Sequence, residues 1–231
     1  MTKHTKLYKK VFLTGCDATC EWMLRWFLKN FHEHNKKIPI VIADFGLSYG
    51  MLYKLKAEGY HIISTTNPHA LKGWFKKPMM MSKCANISEQ TVWIDTDCEI
   101  LGNIEGIFNL LVEDKLNMVQ DKPWSLRTGQ TWHNSGVVGF KGKPEMLEAW
   151  ETKVRMYQTD GDQEVLHSMF NDDMHRDKYI NALPNIFNWL RIQLIDNQDS
   201  PHKKIMHWTG HKGKLVIQEK IRNGLSRTRD W

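Results

Sequence analysis

The chain has 231 residues, 41% hydrophobic and 25% charged, and a formal net charge of +6. That is enough for one α/β domain with a sizeable core, and no run approaches the roughly 20 continuous apolar residues of a membrane span. Residues 1–10 are basic and polar and lead only into Val11–Leu13, too short for a secretory apolar region, so a cytoplasmic protein is expected.

Val11–Thr14 reads as a strand that ends at Gly15 and Asp17. Trp22, Trp26, Phe27 and Phe31 recur at helical spacing until Asn35–Lys37. Ile38–Ala43 is a second strand ending at Asp44, and Ser48 caps a helix carrying Met51, Leu52 and Leu55 that Gly59 ends. Tyr60–Ser64 is a third strand. Pro78 opens a helix through Met80, Met81 and Ala85, and Thr91–Ile94 is a fourth strand running into Asp95-Thr96-Asp97. Ile104–Leu111 reads as a short helix, Met118–Val119 and Gly136–Phe140 as strands, and Pro144 as the start of a helix using Met146, Leu147, Trp150 and Val154. Asp162–Phe170 is a further helix. Strands and helices alternate, which predicts a Rossmann-like α/β domain: a mostly parallel central sheet with helices on both faces. No linker or repeat divides the chain, so 1–231 is read as one domain with peripheral tails at 1–9 and 218–231.

Ligands of such sheets bind beyond the carboxyl ends of the strands, where Thr14–Asp17, Asp44 and Asp95–Asp97 all fall. In an extended segment residues i and i+2 face the same side, so Asp95 and Asp97 converge and repel unless a cation lies between them. Mg²⁺ or Mn²⁺ suits two carboxylates. Spacing alone is weak: 14 aspartates predict about one such match by chance, and Asp160-Gly161-Asp162 is a second. The first follows the buried pattern Val92-Trp93-Ile94, whereas the second sits in a polar turn where Asp160 or Asp162 would simply cap a helix.

Four motifs in order resemble those of GT-A fold glycosyltransferases, especially the family 8-like retaining enzymes: Trp93-Ile-Asp95-Thr96-Asp97, Asn134-Ser135-Gly136, Asp162-Gln163-x-x-Leu166 and His207-x-x-Gly210. The resemblance implies Mn²⁺ (or Mg²⁺) held by Asp95, Asp97 and His207, with Asp95 and Thr96 also near the donor ribose. It implies a UDP-sugar donor, UDP-glucose or UDP-galactose, and transfer with retention. Thr14, Gly15, Cys16, Asp17 and Asp44 would hold the nucleotide, Asn134 and Ser135 would border the sugar pocket, and Asp162 and Gln163 would act at the donor sugar. Gly210, Lys83 and either Lys212 or Lys214 would serve the diphosphate. The family usually has a lysine six residues after the histidine; here that position is Gly213.

Each of these residues has a plainer reading, as a turn, a cap or a solvated charge. The acceptor, whether carbohydrate, lipid or protein, carries no readable motif; either Asn67–Pro78 or Trp124–Trp132 would serve as an acceptor-facing loop, and the sequence does not choose between them. A nucleotidyltransferase would need a more glycine-rich loop than Thr14–Asp17. A basic carbohydrate- or nucleic-acid-binding module would explain the charge and the ten tryptophans, which stack on sugar rings when exposed. It would not require acids at a strand end, so nucleic acid is not expected as a partner. The basic tail from Lys220 leaves peripheral membrane contact open. Cys16, Cys20, Cys84 and Cys98 lack paired motif spacing and are read as reduced thiols.

Overall fold

Val11 and Leu13 of strand β1 (Tyr8–Cys16) point to one face of the central sheet and Phe12 to the other, and all three are fully buried. The same alternation holds in β2 (Ile40–Asp44) and β4 (Ser88–Ile94), where Trp93 faces one side and Val92 and Ile94 the other. Covered on both faces, these strands read as continuous apolar runs. The computed structural model that shows this describes residues 6–65, 71, 73–158 and 160–225.

With β3 (His61–Ser64), β6 (Leu116–Gln120), β7 (His133–Lys141) and β8 (Ile180–Leu183), the order across the sheet is β3-β2-β1-β4-β7-β6-β8. β7 runs antiparallel to both neighbours, and every other pairing is parallel. On one face pack α3 (Lys77–Ile87), α5 (Glu145–Met156) and α6 (Asp162–His167). On the other pack α1 (Glu21–His34), α2 (Tyr49–Ala57) and a 3₁₀ turn at Glu105–Leu110. The expected α/β architecture is therefore present.

A second sheet of three short strands lies beyond the acidic tripeptide: β5 (Cys98–Ile100), β9 (Trp189–Leu190) and β10 (Ile205–His207), in the order β5-β10-β9. The remaining helices are α4 (Lys122–Thr128), α7 (Asp173–Tyr179), α8 (Arg191–Ile195) and α9 (Gly210–Leu225). Among the described residues no helix is long and apolar enough to cross a membrane.

Three expectations need correction. Trp124–Trp132 is not all loop: the Asp121 side chain accepts from Trp124 N at 3.1 Å and caps α4, which ends at Gly129. Residues 218–225, expected in a tail, are the last turns of α9. Its buried stripe includes Gly213 and Ile217 and continues through the partly covered Ile221 and Gly224. Two of these four are glycines, which hid the helical period. The N-terminal tail is shorter than expected, because β1 already begins at Tyr8. Residues 1–5 and 226–231 of the two tails lie outside the described residues, as do 67–70 and 72 of the segment Asn67–Pro78.

Candidate active site

Two adjoining recesses open at the carboxyl ends of β1 and β4, with cavity volumes of ≈ 380 and ≈ 240 Å³. They share Trp74, Lys77, Asp95 and Asp97. The larger adds Asn134, Ser135, Asp162, Gln163, His207 and Gly210. The smaller adds Gly15, Cys16, Asp17, Thr96 and Lys214. Residues from all four motifs thus converge on one cleft.

His207 reaches the acids through the second sheet. In the antiparallel β5–β10 pair it stands opposite Cys98, and Trp208 N extends the ladder to Asp97 O at 3.0 Å. His207 Nε2 then lies 3.1 Å from Asp97 Oδ1. Its other nitrogen, Nδ1, is 3.0 Å from Asn188 Oδ1. Asn188 Nδ2 donates to Asn134 Oδ1 at 2.8 Å, which leaves its oxygen to accept the Nδ1 proton. That bond orients the ring and directs Nε2 to Asp97, the arrangement an imidazole metal ligand requires. Asn134 Nδ2 donates in turn to Gln163 Oε1 at 2.9 Å, as does Ser135 N at 3.1 Å. An unbroken chain of side-chain contacts therefore runs from Gln163 through Asn134 and Asn188 to His207 and Asp97.

A bulge presents Asn134 and Ser135. The β6–β7 register jumps: Met118 faces Val138, but Val119 faces Asn134, so residues 135–137 have no partner across β6. Bulges re-aim side chains beside sites in this way. Gly136 follows directly, and a Cβ built on it would lie 2.2 Å from His207 Cε1 and 2.5 Å from Nδ1. Only hydrogen fits there. Gly136→Ala is expected to turn the imidazole away and lower Mn²⁺ affinity about 10- to 100-fold, as loss of a ligand-orienting contact does. Calorimetric titration with Mn²⁺ checks this, with circular dichroism confirming an intact fold.

Lys77 is buried at the start of α3. Its Nζ lies 3.0 Å from Asp95 Oδ1, 3.1 Å from Asp162 Oδ2 and 3.2 Å from both Ser135 O and Oγ. Burial alone would discharge it, but the two carboxylates outweigh burial and hold its pKa above the usual lysine value. Asp162 is thus an ion-pair partner, and α6 has no side-chain cap at its N-terminus. Asp95 also accepts from Trp93 Nε1 at 2.6 Å. Burial raises Asp95 despite Lys77, and Asp97 and Asp162 add to the rise. Burial would also raise Asp97, but His207 outweighs it and lowers the carboxyl; burial would lower His207, and Asp97 raises it.

Asp97, Cys98 and His207 place one donor atom each within 4.8 Å of one another, a candidate metal cluster among the described residues. Burial, Asp97 and Asp95 hold the Cys98 thiol well above its ordinary pKa, so it stays protonated. The remaining carboxylate and imidazole are a donor pair suited to a divalent cation.

Four expected donor contacts line neither recess. The Thr14 hydroxyl donates to Ile94 O at 2.7 Å inside the core. Asp44 accepts from Gly46 N and Leu47 N at 2.8 and 2.7 Å, closing its own turn. Lys83 donates to Ser64 O at 2.8 Å, six residues down α3 from Lys77. Lys212 is exposed, whereas Lys214 lines the smaller recess. A Cβ at Gly213 would meet Trp208 O at 1.9 Å, so α9 packs too closely on Trp208 for any side chain there. Lys77, Asn188 and Asp121, whose Oδ2 accepts from Asn134 Nδ2 at 3.3 Å, were not singled out as site residues from the sequence. Lys77 had one usable signal: it opens a helix, and helices of this fold begin at the edge of the sheet where ligands bind.

No family model matches the sequence, and no curated protein matches it. The fold does have solved relatives. The galactosyltransferase LgtC, determined with donor and acceptor sugar analogs, superposes with a TM-score of 0.64 at 14% identity, covering 87% of each chain. The glycosyltransferase GlyE of Streptococcus pneumoniae TIGR4 gives 0.64 at 15% identity, covering 88% of this chain and 55% of GlyE. Mouse xyloside xylosyltransferase 1 gives 0.56 at 11% identity, covering 87% of this chain and 96% of that one. The protein has the α/β fold of these glycosyltransferases, with a mostly parallel sheet flanked by helices.

Proposed function

We propose that the protein is a metal-dependent glycosyltransferase that moves a hexose from a UDP-sugar, UDP-glucose or UDP-galactose, to an acceptor hydroxyl with retention. The observation that carries this reading is the Asp97–His207 contact of 3.1 Å in a cleft that also holds Lys77 between Asp95 and Asp162. Asp97 and His207 would hold Mn²⁺ or Mg²⁺, with Asp95 beside them. The ion would supply positive charge to the diphosphate leaving group. Lys214 brings a second cation to the recess lined by Gly15, Cys16 and Asp17, where the nucleotide would sit.

Asp162 and Gln163 would face the donor sugar. The carboxamide of Gln163 is a poor nucleophile and is held by Asn134 and Ser135 N, so its role is to steady positive charge at the anomeric carbon and position the sugar. Lys77 holds Asp162 in place and offsets the charge of Asp95.

Thermal stability measured with UDP, GDP, CDP and ADP, each with and without Mn²⁺, tests the reading through linkage of binding to folding. A rise with UDP that requires Mn²⁺ is expected. No response to any nucleotide with any metal would sink it.

A further inference from the structure

A groove separate from the cleft lies between α1 and α9, with a cavity volume of ≈ 730 Å³, larger than either recess. It shares no lining residue with them. Trp22 and Trp26, one turn apart on α1, line it, and both are half-buried. Trp93, Trp150, Trp189 and Trp208 spend their indole N–H on partners inside the fold. Trp22 and Trp26 do not: among the described residues neither indole N–H has a hydrogen-bond partner and neither ring pairs with another aromatic ring.

The charged groups around the groove are largely paired. Arg25 holds Glu58 at 2.6 Å, and Glu99 accepts from Lys220 at 2.9 Å and from Trp208 Nε1 at 2.9 Å. Both signs are represented, so no one-sided field selects an ion such as a nucleotide or a phospholipid headgroup. An acyl chain would cover Lys220 and Glu99 without giving them hydrogen bonds, which is costly. A neutral sugar meets both demands. Its C–H faces lie on indole rings, and its hydroxyls pair with free indole N–H groups and with the flanking polar side chains.

We propose that this groove binds an uncharged oligosaccharide at a site distinct from the cleft. It lies close by: α9 gives Lys214 to the cleft and Lys220 to the groove, six residues or about 9 Å further along the helix. α1 likewise gives Met23 to the cleft and Trp22 and Trp26 to the groove. The inference stands on the groove alone and holds whether or not the cleft transfers sugar.

The test is a titration of the full chain with maltohexaose, cellohexaose and mannohexaose, read through the indole ¹⁵N–¹H resonances. Trp22→Phe and Trp26→Phe assign the two resonances of interest. With at least one probe both should shift, and Trp22→Leu or Trp26→Leu should each weaken binding about tenfold. Asp97→Asn, or saturating UDP with Mn²⁺, should leave the titration unchanged, which separates this site from the cleft. The native resonances decide even if a leucine variant fails to fold. Three results overturn the proposal: no shift of either resonance with any probe up to about 10 mM, well above a millimolar dissociation constant; displacement by UDP; or binding only in a chain ending at Leu225, which would make residues 226–231 the occupant.

Discussion

Asp97→Ala is expected to abolish metal-dependent sugar-nucleotide turnover, a loss on the order of 1,000-fold or more, or about 4 kcal/mol of transition-state stabilisation. Asp97 stands at the junction of two constraints. Its backbone carbonyl accepts from Trp208 N, which fixes the late strand, and its carboxylate faces His207 Nε2. Alanine keeps the first and removes the second. The fold should therefore survive while the proposed cation loses an oxygen ligand and His207 loses its counter-charge. Release of UDP from UDP-glucose and UDP-galactose, followed with Mn²⁺ and with chelator, measures the effect. Full Mn²⁺-dependent turnover in the variant would place the ion elsewhere.

Lys77→Met is expected to cost about 3–5 kcal/mol of stability, because it leaves two carboxylates in a buried site without their shared cation. The side chain is almost wholly covered, and its three donor directions go to Asp95, Asp162 and Ser135. Urea unfolding measures the loss. Adding Asp162→Asn should recover part of it, since one stranded charge is removed, and a double-mutant cycle reads the coupling directly. A loss below about 1 kcal/mol would mean that Lys77 acts as a solvated surface charge, the usual magnitude for exposed pairs. Turnover should fall in both variants, because Asp162 loses the contact that positions it in the first and is itself replaced in the second.

The strand and helix order through α3 and β4 was legible because β1, β2 and β4 carry apolar runs buried on both faces, α1 carries an apolar stripe, and Ser48 and Gly59 mark the ends of α2. The chain after Phe170 was not. Its strands have only two to four residues, too few for a period to show, and α9 has glycines on its buried side. Such short strands are held by pairing with segments far away in sequence, as His207 is by Cys98.

Lys83 and Lys77 show the same limit within one helix. Both are lysines on α3, and a motif search cannot rank them. Six residues along a helix is about 9 Å, which separates a contact with Ser64 O from one with Asp95. Asn188 carries no local signal at all, since its role exists only where β7, β10 and the segment before β9 meet.

The amino-acid sequence by itself determined the α/β class, the strand end that carries Asp95 and Asp97, and the set of polar residues from which a site is built. These follow from local periodicity and from turn chemistry, which act over a few residues. Only the tertiary structure decided which of those residues meet. It chose Lys77 over Lys83 and Lys214 over Lys212, turned Thr14 and Asp44 to structural bonds, and required glycine at 136 beside His207 and at 213 against Trp208. Those choices depend on approaches of a few ångströms between segments 110 positions apart in the Asp97–His207 contact of 3.1 Å (residues 97 to 207) and 109 apart where the indole of Trp208 meets Glu99, and close packing leaves one arrangement that satisfies them together.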